Sequence, residues 1–149
     1  MSNQPATTVT NSGNIITGYR VLASLIAILV IVQAFLGIRG QYADPGLVTM
    51  HEMLANAMFL LVVIQVVLAW MLYSKKLVTV WVVVLNVALL LLTVGQIGLG
   101  YSTRDADSFA TTISLHIPNG VLLMGVATVV ATMAWRIVSA DRISPPTAA

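Results

Sequence analysis

The stretch HEMLANAMFLLVVIQVVLAW, residues 51–70, decides the fold, because HIPNGVLLMGVATVVATMAW, residues 116–135, repeats its plan. Each opens on a histidine, places a small residue four positions on (Ala55 in one, Gly120 in the other) and runs through apolar residues to a tryptophan nineteen positions after the histidine. Glu52 is the only charge in either stretch, and His51 and His116 are the only histidines in the chain. Twenty apolar residues make a helix long enough to cross a bilayer, which needs about 20 residues.

The remainder of the chain is of the same kind. Of its 149 residues, 58% are hydrophobic and 8% charged, and the mean hydropathy is +0.95. A domain of this size in water lacks the interior to hide so much apolar surface, so the lipid bilayer is its solvent. The net charge of +2 rests on few residues and forms no basic patch, so no nucleic-acid partner is expected. With no cysteine, disulfides, iron–sulfur ligation, thioether-attached haem and thiolate zinc sites are excluded.

Taken in order, residues 1–14 read as a disordered polar tail, and residues 139–149, with Pro145-Pro146, as a loose one. Between them, residues 15–138 hold four apolar runs, at about 15–38, 47–73, 77–100 and 112–138. The first is read as a retained span, being longer than the core of a secretory signal and lacking a small-x-small cleavage site. Loops at Arg39–Gly46 and Tyr101–Ser108 and the short link Ser74-Lys75-Lys76 separate the runs. The expected fold is an all-α integral membrane protein, an antiparallel bundle of four transmembrane helices. Arg20, Lys75, Lys76, Arg136 and Arg142 lie on one side, and Arg39 and Arg104 on the other. That bias puts both termini in the cytoplasm of a multi-pass plasma-membrane protein, with the histidines toward the outer face.

A second repeat precedes each histidine. Gln33-Ala34-Phe35-Leu36-Gly37 and Gln96-Ile97-Gly98-Leu99-Gly100 both read Q-x-x-L-G, each followed by a charged loop and then His51 or His116. The chain is thus two copies of one helical hairpin, related by an axis along the membrane normal. Each histidine stands ~28 Å along its helix from its tryptophan at a rise of 1.5 Å per residue. The two imidazoles therefore share one depth and meet across the bundle. Two neutral imidazoles on opposite faces suit one haem, with His51 and His116 as its iron ligands and no open position. Ala55 and Gly120 leave room for a flat macrocycle, while Arg39 and Arg104 are read either as partners of its propionates or as plain solvated loop charges. Gln33 and Gln96 lie slightly deeper, with interhelical hydrogen bonding as their default and the buried edge of the macrocycle as the alternative. Pro118 suggests that the fourth helix begins beside His116.

Q-x-x-L-G closing an odd helix, with H-x-x-x-(A/G) opening the next even one, resembles one half of heme A synthase. Leu115–Leu123 (LHIPNGVLL) is also similar to the last helix of small one-bundle prokaryotic relatives. The resemblance spans about residues 15–138. It implies a prokaryotic membrane protein in which His51 and His116 occupy axial-ligand positions of a b-type haem. It also marks departures. The catalytic bundle of that family has a glutamate before its first histidine and an arginine after it, and many members carry a cysteine pair. Here Leu47 and Val48 precede His51, Glu52 follows it, and there is no cysteine.

The expectation is a membrane cytochrome b that passes single electrons. It would work beside quinone or the subunits of a larger redox complex, with assembly into an oligomer allowed. The alternative is a cofactor-free scaffold or assembly subunit whose polar residues only join helices. A haem-modifying enzyme is a third reading. It lacks an acid–base pair, since Asp44, Asp105 and Asp107 fall in loops without catalytic spacing.

Overall fold

The computed structural model describes residues 7–104 and 107–137, the side chains of residues 7–11 excepted. Four helices follow one another: α1 Thr7–Tyr42, α2 Gly46–Ser74, α3 Val80–Ser102 and α4 Phe109–Arg136. All four are long and apolar enough to cross a membrane. The chain is a membrane-spanning, all-α four-helix bundle. Residues 1–6 of the expected leading tail and all of 139–149 lie outside the described residues.

The helix ends differ from the apolar runs for local reasons. α1 begins at Thr7, because Thr7–Asn14 holds neither proline nor charge and an established helix propagates cheaply through such residues. α2 ends at Ser74, and two residues on, Lys76 has a left-handed backbone (φ 58°). There Leu77 N–H bonds the Leu72 carbonyl and Lys76 N–H that of Tyr73, the pair of bonds that closes a helix and reverses the chain. Leu77 and Val78 then pack on the core in a bend outside any helix, so α3 starts at Val80 rather than at 77. α4 starts at Phe109 and runs through Pro118. Proline at that point leaves the Ser114 carbonyl without its helical donor, which membrane helices tolerate where neighbouring groups compensate.

Neighbouring pairs are α1–α2, α2–α3, α3–α4 and α4–α1, so α2 and α4 face each other across a diagonal. Buried positions recur at alternating steps of three and four. They are Ile16, Tyr19, Ala23, Ile26 and Val30 on α1; Met58, Val62, Gln65, Ala69 and Leu72 on α2; Val82, Asn86, Leu89 and Thr93 on α3; and Leu123, Ala127, Val130 and Ala134 on α4. That period keeps one seam of each helix turned inward along its length, as in packed bundles. The outward faces are as apolar as the seam: Phe35 (61%), Leu60 (62%) and Leu91 (66%) are exposed. In water such a surface would drive aggregation; against lipid chains it has no cost.

Trp70, Trp81 and Trp135 are exposed together at one end. There Arg20 reaches from α1 to the end of α4, donating to the carbonyls of Ala134 (3.2 Å) and Ile137 and lying 5.5 Å from the centre of the Trp135 ring. A guanidinium at the negative end of a helix caps its last carbonyls. Trp135 Nε1–H in turn donates to Ser24 Oγ at 3.0 Å.

Candidate functional site at the histidine end

Continued toward the opposite end, the same three–four spacing reaches Gln33, Gly37 and Gly40 on α1, and Ala55 and His51 on α2. On α3 it reaches Gln96 and Gly100, and on α4 Gly120 and His116. The glutamine, glycine, histidine and small residue of each copy thus continue the bundle's inner seam, while the tryptophans and the two arginines do not. What is Leu, Val and Ile in the middle of the bundle becomes Gln, His, Gly and Ala here. Interior positions of this kind make this end of the seam polar and rich in small residues, whereas a closed apolar core would be filled by large side chains.

The two hairpins build their histidines alike. In the first, His51 Nδ1–H donates to the Gln33 carbonyl at 3.0 Å and Gln33 Nε2–H donates back to the His51 carbonyl at 3.0 Å. The ring lies against Gly37, where a Cβ would stand 3.2 Å from its Cε1. In the second, the ring of His116 lies against Gly100, where a Cβ would stand 3.5 Å from Cε1. Glutamine and glycine of each Q-x-x-L-G copy therefore both face the histidine of the next helix.

The glutamine contacts differ between the copies. Gln96 Nε2 lies 2.9 Å from His116 Nε2. The proton assignment follows from a chain of partners. Asn119 Nδ2–H donates to the Leu92 carbonyl (3.0 Å), which orients its carboxamide, and also to Gln96 Oε1 (2.6 Å). Gln96 then presents its NH2 to His116, so Nε2 of that ring is the acceptor and the ring proton sits on Nδ1. That Nδ1 is buried without a hydrogen-bond partner. His51, donating from Nδ1, is in the same tautomer. Both neutral rings thus carry their lone pair on Nε2, the atom a metal would take.

The rings of His51 and His116 are 6.3 Å apart, centre to centre, with planes inclined by 59°. Two imidazoles on one metal, with bonds of about 2 Å and ring radii of about 1.1 Å, place their centres about 6 Å apart. The separation fits a shared iron. Among the described residues no group of three or more His, Cys, Asp or Glu converges. A bare metal ion needs such a group, whereas a porphyrin supplies four ligands itself and needs two from the protein.

The rim residues have partners of their own. Arg104 pairs with Glu52 at 2.7 Å and lies 4.7 Å from the centre of the Tyr101 ring. The carboxylate holds the guanidinium above its usual basicity. Asn56 Nδ2–H donates to Tyr101 Oη at 3.1 Å, a second tie between α2 and the end of α3. Arg39 is exposed in the last turn of α1. Gly120 faces the Gln96 carboxamide, 3.2 Å from where its Cβ would be, so the small residue four after His116 makes room for the glutamine. Ala55 is half-buried at the matching place. Asn119 was not foreseen; its position three residues after His116, on the same helix face, was the available signal.

Gly40 fixes how closely α1 approaches α2. A Cβ there would meet Val48 N at 2.8 Å and the Leu47 carbonyl carbon at 3.2 Å, both main chain. Gly40→Ala is expected to lower stability by ~1–3 kcal/mol through overpacking. Gly98→Ala, with nothing within 4 Å of its Cβ, gains up to about 1 kcal/mol of helix propensity. Melting temperatures in one detergent should fall for the first and not for the second; equal shifts would contradict this packing.

No known protein family, curated protein or solved structure matches the chain.

Proposed function

We propose that the bundle is a membrane cytochrome that holds one b-type haem between His51 and His116 and passes single electrons. The observation that carries the reading is the pair of seam histidines 6.3 Å apart on diagonal helices. Their contacts leave a lone pair on Nε2 of each, and glycines flank both rings. Bound iron would supply a one-electron couple with both axial positions filled. The residues of the chain orient the imidazoles: the Gln33 carbonyl fixes one ring and the Gln96–Asn119 pair acts on the other. Kinship with one half of heme A synthase belongs to this proposal and rests on the repeated motifs alone. So does the orientation, in which Arg20, Lys75, Lys76 and Arg136 keep the tryptophan end in a prokaryotic cytoplasm and the haem lies near the outer face. Its electron partner would be a quinone or a redox-complex subunit reaching that face.

A cofactor-free scaffold is the second reading, and the present contacts favour it in three respects. Gln96 already occupies His116 Nε2, no cluster of three metal-binding side chains is present among the described residues, and Asn56–Tyr101 and Asn86–Tyr19 tie helices without any added group. It is the shorter account of what is bonded to what.

Expression with haem supply and purification in mild detergent separates the two. The cytochrome reading expects a Soret band with split, sharp α and β bands on reduction, at about one haem per chain. A colourless protein that also takes up no added haem would leave the scaffold.

A further inference from the structure

We propose that Gln96 is a placeholder on His116, so that the two halves of the site load in order, His51 first and His116 only after the Gln96 carboxamide withdraws. This rests on the haem reading above and specifies how that site is regulated. The basis is a contact in which the two hairpins differ. Gln33 donates to the main chain of His51 and leaves its ring lone pair unengaged. Gln96, its counterpart in the repeat, donates to the ring atom itself.

The placeholder is held from behind. Asn119 donates to both Gln96 Oε1 and the Leu92 carbonyl, and Gly120 leaves space that any larger residue would deny the carboxamide. Before loading, the arrangement gives a buried lone pair a donor and avoids the cost of leaving it bare. It also puts the price of one hydrogen bond on the second ligation step. Release therefore gives up the side-chain bond on Nε2 and leaves that lone pair open to a ligand.

The test adds haem b to the haem-free full-length protein in detergent micelles and follows the six-coordinate spectrum by stopped flow. Gln96→Leu should form it faster by about three- to tenfold, the worth of one hydrogen bond. Asn119→Ala, which only unties the carboxamide, should move in the same direction. Gln33→Leu, whose side chain touches no ring nitrogen, should not accelerate. In the haem-free protein, the 15N shift of His116 Nε2 should change in Gln96→Leu while that of His51 stays, a readout that needs no cofactor. Should the Gln96→Leu protein fail to fold, Asn119→Ala and the 15N shifts carry the test. Wild-type protein that takes up haem at the same rate as both variants would overturn the placeholder and leave the haem reading standing. Wild-type protein that takes up no haem would remove both. The 15N shift would then still report whether Gln96 bonds the ring.

Discussion

Alanine at both His51 and His116 is expected to abolish the Soret band of the purified protein, and alanine at either one to abolish its six-coordinate spectrum. The reason is the economy of the site. Among the described residues no third His, Cys, Asp or Glu converges on the pair, so on the haem reading no spare ligand replaces a lost one; the remaining polar neighbours, Gln33, Gln96 and Asn119, are carboxamides already engaged with each other, with the His116 ring or with main chain. Changing a group that merely orients a metal ligand weakens binding about 10–100-fold, so loss of a ligand should exceed that. Asn56→Ala, which cuts only the tie to Tyr101, should keep the spectrum. Stability gives an independent reading. Without haem, His51→Ala gives up one hydrogen bond to Gln33, about 1 kcal/mol. With haem at a thousand times its dissociation constant, wild-type protein gains ~4 kcal/mol that the double variant cannot gain. A scaffold predicts no difference between melts with and without haem, in wild type or variant.

Much of this was legible in the sequence, and what was not has a physical cause. The four spans and the hairpin repeat follow from run length and the spacing of Gln, Gly, His and Trp, which survive without knowledge of packing. Which face of each helix turns inward did not follow. Ile26 is buried and Ile28 exposed, yet both are isoleucine, because lipid and protein interior ask for the same side chains. The seam becomes readable only where it turns polar or small, at Gln33, Gly37 and Gly40 or at Gln96 and Gly100. Extended backwards from these, the three–four spacing recovers Tyr19 and Asn86. The pairing of Gln96 with His116 joins two helices and could not be reached by spacing along one. Pro118 misled in the usual way. It resembles a helix start, but α4 begins at Phe109, and this brings His116, seven residues in, to nearly the depth of His51, five residues into α2.

Asn86→Ala should be among the most destabilising single changes in the bundle, and Asn86→Leu much milder. Asn86 is fully buried on α3 and donates from Nδ2 to Tyr19 Oη on α1 (2.8 Å) and to the Val82 carbonyl one turn back (2.7 Å). Gln65 of α2 reaches the Tyr19 carbonyl at 3.4 Å, so three helices meet in one polar layer. Two effects compete there. Hydrogen bonds between membrane helices contribute on average about 0.6 kcal/mol each, and Asn86 Oδ1, buried without a partner, offsets part of even that. Truncation to alanine adds a cavity that the surrounding Leu and Val cannot close, which brings the total to ~2–4 kcal/mol. Leucine fills the volume and removes the orphaned oxygen, so what remains is the loss of the bonds to the buried Tyr19 hydroxyl and to the Val82 carbonyl, about 1–2 kcal/mol. Melting in a single detergent should therefore rank wild type and leucine close together and alanine far below. If leucine fell as far as alanine, polar bonding rather than packing would be holding this layer. In neither variant should the spectrum of bound haem change, because the layer sits at the opposite end of the seam from His51 and His116.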